Sequence, residues 1–131
     1  SVPKITIMCN SSFGAGNYAM CGRAFDSRFI FSWPNHQIGI MGGEQAAKTL
    51  VEVKERQLKK TKKNVSQEKL ERVYTDTLAG FKEQMSAYHA TSQIWDDGII
   101  DPIDTRSCLG LALTVISKSK FKDSGYGVMR F

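Results

Sequence analysis

Lys4-Ile5-Thr6-Ile7-Met8-Cys9 is a short apolar run with β-branched residues, and Ser12-Phe13-Gly14-Ala15-Gly16 follows it as a glycine-rich turn. The pair reads as strand, tight loop, helix: a brief apolar run bounded by turn residues suits a buried strand, and glycines remove side chains that would block a sharp reversal. The helix is expected over about 17–24. Arg28 to Ser32 and Gln37 to Met41 read as two more buried strands, with Pro34-Asn35 as the turn between them. Gly42-Gly43 then repeats the first pattern and leads into a helix from Glu44. Phe81 to Ile94 is apolar enough for a helix that Asp96-Asp97-Gly98 would stop, and Ile99-Ile100-Asp101-Pro102 reads as an extended link. Asp104 can N-cap a last helix, Thr105 to Ile116, through its side-chain oxygen. This order is α/β in character, with a helical C-terminal tail.

At 131 residues, 41% hydrophobic and 24% charged, the chain has the size and composition of one globular unit or of a piece of a larger one. Its net charge of +5 is local. Lys48 to Arg72 holds nine basic and four acidic residues, which accounts for all of it. The charges alternate with Leu50, Val53, Leu70, Val73, Tyr74, Leu78 and Phe81 at helical spacing, so the stretch of about 44–85 reads as two solvated helices joined near Lys59 to Val65, with Ser66 as N-cap. Lys48 to Arg72 itself holds no aromatic residue, and such a charge run usually faces water, so no nucleic-acid or membrane partner is expected; a basic-helix binding module is the alternative reading.

The functional classes narrow by elimination. Cys9, Cys21 and Cys108 are odd in number and lack metal-ligand spacing, so neither zinc nor a disulfide framework is expected. No apolar stretch reaches the ~20 residues of a spanning helix, and Ser1 to Met8 reads directly as a strand, so a targeting segment, if one exists, is expected to lie outside these residues. Gly14-Ala15-Gly16-Asn17-Tyr18-Ala19 fits the dinucleotide fingerprint after a strand, but the acid needed about 20 positions on is absent from Trp33-Pro34-Asn35-His36-Gln37. No Gly-Lys-Ser/Thr follows either glycine pair, which excludes a P-loop. His36 and His89 have no nucleophile elbow near them and read as structural, Trp33 and Trp95 as anchors, and Asp96, Asp97, Asp101 and Asp104 as caps and turns.

Two readings of the glycine junctions remain: the glycines only permit tight turns, or they serve backbone chemistry. At a strand-to-helix junction made of small residues, the first amides of the helix are unpaired and unshielded, and they can hold an anion or a developing oxyanion. Ala15, Gly16 and Asn17 would supply such donors at the first junction, Gly43 and Glu44 at the second. One donor of this kind changes a barrier by about 3 kcal/mol. A site built this way needs a reactive group brought from outside.

The motifs Val2-Pro3-Lys4-Ile5-Thr6, Ser12 to Ala24, Trp33-Pro34-Asn35, Met41 to Ala47, Tyr88-His89-Ala90-Thr91 and Trp95 to Pro102 carry a resemblance. Across about residues 2–116 the chain resembles the carboxyltransferase subunits of biotin-dependent acyl-CoA carboxylases, and among them the methylcrotonoyl-CoA branch. Propionyl-CoA and acetyl-CoA relatives typically carry Tyr-Gly-Gly-Ala-Tyr-Asp where this chain has Phe13 to Tyr18, whereas the geranyl-CoA branch stays open. The resemblance implies a crotonase-like ββα spiral, with residues 1–131 forming the C-terminal part of the second of two such domains. It implies transfer of a carboxyl group from carboxybiotin to 3-methylcrotonyl-CoA, giving 3-methylglutaconyl-CoA, a step of leucine catabolism. The biotin would be carried covalently by a partner α subunit, and other β subunits would complete a large hetero-oligomer around the acyl-CoA. By position, the amides of Ala15 and Gly16 would hold negative charge on the biotin ureido oxygen, with Phe13, Gly14, Asn17, Tyr18, Gly42 and Gly43 around biotin and substrate. Tyr18 stands where relatives carry Asp near the acyl group, so it is expected to influence acyl choice. The compartment implied is the mitochondrial matrix in a eukaryote and the cytoplasm otherwise, and the chain alone is expected to be inactive.

Overall fold

The computed structural model describes residues 2–60 and 66–119. They group into two compact units, one of residues 2–38 with 86–119 and one of 39–60 with 66–85.

The first unit is built on β1 (Ile5–Met8), which pairs in parallel with β3 (Phe29–Ser32) in the register Ile5 to Phe29 through Met8 to Ser32. A parallel pair needs a crossover, and α1 (Ala15–Ala19) with a 3₁₀ turn at Arg23–Phe25 provides it. The helix expected over 17–24 is therefore shorter and starts earlier. The reason lies at its end. Cys21 takes a left-handed φ of 61°, its N–H donates to the Tyr18 carbonyl (3.0 Å), and the Gly22 N–H donates to the Asn17 carbonyl (2.8 Å). These two bonds form the Schellman closure that satisfies the last carbonyls of a helix.

The segment before α1 also differs from expectation. Ser12 and Phe13 belong to a strand, β2 (Ser11–Phe13), which forms a two-stranded sheet with β4 (Gln37–Gly39). A two-strand ladder depends on a partner distant in sequence, so local glycine content read it as loop. β4 itself stops at Gly39 rather than Met41.

β3 is central. Its alternation buries Ile30 and Ser32 completely, while Phe29 and Phe31 stack on the other face with ring centroids 5.8 Å apart. Beyond β3 the 98–100 segment adds a parallel bridge: the Ser32 N–H donates to Gly98 and the Ile100 N–H to Ser32. The single helix expected over 81–94 is two. One helix ends at Gln84, and α4 (Ala87–Ser92) starts afresh because Ser86 is extended and its hydroxyl accepts from the His89 N–H. What stops α4 is Ile94, at φ 59°, with Ile94 and Trp95 N–H closing on Thr91 and Ala90 in a second Schellman pattern. The Asp96-Asp97-Gly98 run comes after the stop. α5 (Thr105–Lys118) follows a 3₁₀ turn at Pro102–Asp104. Asp104 is helical and makes no capping bond, a correction to the expected cap. The acceptor is Asp101, which takes the Ile103 N–H at 3.0 Å.

The second unit is a helical hairpin of α2 (Gly43–Lys60) and α3 (Gln67–Gln84). Their facing residues are small or aliphatic, with Ala46, Ala47 and Leu70 buried. Gly43 lies against Leu78, Phe81 and Met85. The join expected near Lys59 to Val65 falls partly on 61–65, outside the described residues. Ser66 is extended, as a cap should be, but its side chain makes no capping bond. Exposed ion pairs Glu55–Lys59 (2.6 Å) and Glu52–Arg56 (3.7 Å) run along α2 and stabilise it by a few tenths of a kcal/mol each.

Candidate functional site

β2 delivers the chain to Gly14, whose φ of 55° and ψ of −136° suit almost only glycine. That turn aims the amides of Ala15 and Gly16 off the start of α1. Among the described residues neither amide has an acceptor. An added Cβ on Gly16 would meet nothing within 4 Å, so the approach is open. Asn17, the third donor expected from the sequence, is not available, because its N–H donates to the Gly14 carbonyl at 3.1 Å. A turn tight enough to expose two amides brings the third onto its own first carbonyl.

Asn17 instead holds the junction together. Its carboxamide Nδ2 donates to the Ser12 hydroxyl at 2.9 Å, tying α1 to β2. Tyr18, 38% exposed, sets its ring edge against Phe25 at 5.8 Å. Thr6 on β1 donates to the Cys21 carbonyl at 2.9 Å, which fixes the far end of α1 to the sheet. A shallow cavity of about 270 Å³ flanks the junction, with Ser12, Asn17 and Met20 on one side and β1 on the other.

Phe13, Gly14, Ala15, Gly16, Asn17 and Tyr18 thus form one consecutive arrangement within the first unit. Gly42 and Gly43 belong to the second, where the first bond of α2 runs from Ala46 N–H to Gly42. Among the described residues the amides of Gly43 and Glu44 have no acceptor, but the Glu44 carboxylate stands in the same first turn and already supplies the negative charge that the helix start favours. The two junctions are therefore not equivalent as anion sites.

A buried polar network supports the first unit, and sequence reading missed it. Asp96, 5% exposed, accepts from the Ser32 hydroxyl (2.6 Å) and the Thr91 hydroxyl (2.8 Å). Asp97 accepts from the Ile30 N–H (2.7 Å) and pairs with Arg23 (3.2 Å). These aspartates bind strand β3 rather than serve as turn formers. His36 is buried, with Nδ1 2.6 Å from the Asn10 carbonyl and no partner at Nε2 among the described residues. Burial pushes its pKa below the ordinary imidazole value, against the opposing pull of the Asn10 carbonyl and the Asp96 carboxylate. Trp33 donates to the Thr105 hydroxyl at 3.0 Å, and Trp95 meets His89 edge-on at 5.9 Å. Among the described residues no group of His, Cys, Asp and Glu could hold a metal ion, and no helix is long and apolar enough to cross a membrane.

The first unit thus combines a parallel β–α–β arrangement with a glycine turn at which, among the described residues, two backbone amides have no acceptor. Residues 1–124 match the carboxyl transferase domain, and the chain belongs to that family. It is 45% identical, over 98% of its length, to the biotin-dependent 3-methylcrotonyl-coenzyme A carboxylase β1 subunit of Mycobacterium tuberculosis, of which it covers 24%. The mitochondrial methylcrotonoyl-CoA carboxylase β chain of Arabidopsis thaliana is also 45% identical over 98% of the chain, which covers 22% of that protein. Among solved structures, the geranyl-CoA carboxylase β subunit of P. aeruginosa superposes with a TM-score of 0.78 at 41% identity, covering 99% of this chain and 24% of that one. The fold is accordingly that of the crotonase-like carboxyltransferases, and the chain spans about a quarter of the length of these relatives.

Proposed function

We propose that this chain supplies the biotin-side half of a carboxyltransferase site, as the closing part of the second domain of a β subunit that converts 3-methylcrotonyl-CoA to 3-methylglutaconyl-CoA. The observation that carries this reading is the pair of amides at Ala15 and Gly16, which have no acceptor among the described residues and stand, with open space beside Gly16, at a turn whose backbone suits almost only glycine at position 14. Biotin carried by a partner α subunit would supply the carboxyl group, and the amides of Ala15 and Gly16 would hold its ureido oxygen. Two fixed N–H donors suit such an oxygen. Preorganised donors gain strength as charge develops, and they do so without the reorganisation that water would need. Phe13 and Gly14 bring the donors into place, Asn17 locks them to β2, and Tyr18 offers an aromatic surface toward the acyl chain.

The substrate assignment rests on 45% identity to two proteins named for methylcrotonyl-CoA. A geranyl-CoA reading has its own support in the superposition on the P. aeruginosa subunit. In either case further β subunits would bring the acyl-CoA to the junction, with Gly42 and Gly43 lining another part of the site. A place in leucine breakdown follows for the first substrate, in the mitochondrial matrix of a eukaryote or the cytoplasm of a bacterium. The test is Gly16→Val in the complete subunit. We expect assembly with loss of carboxyl transfer on both methylcrotonoyl-CoA and geranyl-CoA, and unchanged turnover would remove the amides from the mechanism. The wild-type ratio of the two rates identifies the acyl group.

A further inference from the structure

We propose that His36 is a positioning residue for the carboxyltransferase site, clasping the Cys9–Asn10 link so that β2 presents the amides of Ala15 and Gly16 at a fixed place. The inference rests on the role proposed above for those amides, and it concerns a side chain that does not touch the reacting groups.

The clasp is made of four bonds. The turn from Trp33 to Gln37 reaches across to the end of β1 and the link that follows it and takes their carbonyls in succession. The Trp33 N–H donates to Met8 (3.0 Å), the Asn35 carboxamide to Cys9 (3.0 Å), and the His36 ring and the Gln37 N–H both to Asn10 (2.6 and 3.2 Å). The turn is itself closed by the His36 N–H on the Trp33 carbonyl at 3.0 Å. His36 provides the shortest of these bonds and is only 1% exposed, so no water competes for the Asn10 carbonyl.

From Asn10 to Gly14 the chain is the three extended residues of β2, and at Gly14 it enters a backbone conformation with little room to adjust. Slack at Asn10 is therefore passed to the amides instead of being absorbed. Donors that stabilise a developing charge work over a few tenths of an ångström, and a 1 Å error costs on the order of a hundredfold in rate. Protonation disturbs the same clasp. The neutral ring donates through Nδ1 and leaves Nε2 a buried lone pair without a partner among the described residues, whereas the charged ring places a second N–H there with no acceptor among them. The groups acting on the ring are the Asn10 carbonyl from the β1–β2 link and the Asp96 carboxylate from the segment after α4. Both favour charge, but burial outweighs them, so the ring stays neutral until the medium is acidic.

The experiment uses the holoenzyme with His36→Ala and His36→Asn, assayed for kcat across pH and normalised to the folded fraction. In His36→Asn the carboxamide nitrogen can stand where Nδ1 stands, without a titrating group. We expect His36→Ala to lower kcat about tenfold or more and His36→Asn to restore most of it. We further expect His36→Asn to move the acid limb of the kcat profile to lower pH. Wild-type kcat in folded His36→Ala, failure of His36→Asn to recover any loss, or an acid limb unmoved in His36→Asn would each overturn the proposal. If His36→Ala does not fold, the acid limb of His36→Asn still decides. Gly16→Val, assayed in parallel, separates the two readings: if it abolishes transfer while the His36 variants behave as wild type, only the clasp is wrong, and if it leaves transfer intact, the role of the amides itself fails.

Discussion

The carboxamide of Asn17 fills the space that a side chain on Gly22 would need. A Cβ placed on Gly22 would lie 2.7 Å from Asn17 Cγ and 2.8 Å from the Asn17 main-chain oxygen, which already accepts the Gly22 N–H. The backbone of Gly22 is extended (φ −67°, ψ −175°) and would suit any residue, so glycine is required here by closeness rather than by conformation.

Gly22→Ala should therefore destabilise the chain by about 1–3 kcal/mol, the usual cost of overpacking against atoms that cannot retreat. Urea unfolding measures it. Asn17→Ala should cost less in the Gly22→Ala background than in the wild type, because it removes part of the clash while losing the Ser12 bond; strict additivity would show that the two residues do not compete for space. Gly43→Ala is the contrast. A Cβ there would sit 3.4 Å from Leu78 Cδ1 and Phe81 Cβ, ordinary contact distances, so its effect should stay within about 0.5 kcal/mol.

Ile94 holds the left-handed position of a Schellman closure with a β-branched side chain that is 75% exposed. Left-handed backbone costs such a residue on the order of 1–2 kcal/mol, and little burial is lost on removing it. Ile94→Gly should raise stability by about 0.5–1 kcal/mol once the greater freedom of unfolded glycine is counted. A lower urea midpoint for this variant would contradict the account of how α4 ends.

Asp96 anchors two hydroxyls from β3 and α4. Asp96→Ala leaves the Ser32 hydroxyl buried without its acceptor and loosens Thr91, with an expected cost of about 3 kcal/mol. Thr91→Ala should cost less, since Asp96 keeps the shorter of its two bonds. Equal losses would mean that the network is not organised around the carboxylate.

Acid should weaken the fold through His36. Its pKa is lowered in the folded chain, so below the ordinary imidazole value of about 6.5 the unfolded chain binds a proton that the folded one refuses. The stabilising effect of a neutral His36 is complete above that value and is lost as pH falls from it toward the folded pKa. The slope approaches at most about 1.4 kcal/mol per pH unit for one proton. Unfolding free energies between pH 7 and 5 should show this slope in the wild type and a shallower one in His36→Asn, and parallel curves would assign the proton elsewhere.

The sequence by itself determined the order of elements and the place of the glycine junction. β1, β3 and the start of α2 lie within a residue or so of expectation because short apolar runs and glycine pairs are local signals. The open amides of Ala15 and Gly16 were legible for the same reason, since helix starts leave donors unpaired wherever small residues precede them. The charge run on α2 and α3 was likewise visible as a solvated face.

Only the tertiary structure decided the rest. β2 exists because β4 lies beside it, and a ladder between segments more than twenty residues apart leaves no local mark on Ser11 to Phe13. The ends of α1 and α4 are set by Cys21 and Ile94 in a conformation that neither residue prefers, one held by Thr6 on β1 and the other by the bonds to Thr91 and Ala90. Asp96 and Asp97 looked like turn residues and became anchors of β3, and His36 looked isolated until the fold set Asn10 against it. The end of α4 is closed by local bonds; for β2, the Thr6 bond at the end of α1, Asp96, Asp97 and His36 the deciding partner is distant along the chain, and its effect is a hydrogen bond that exists only once the elements have packed.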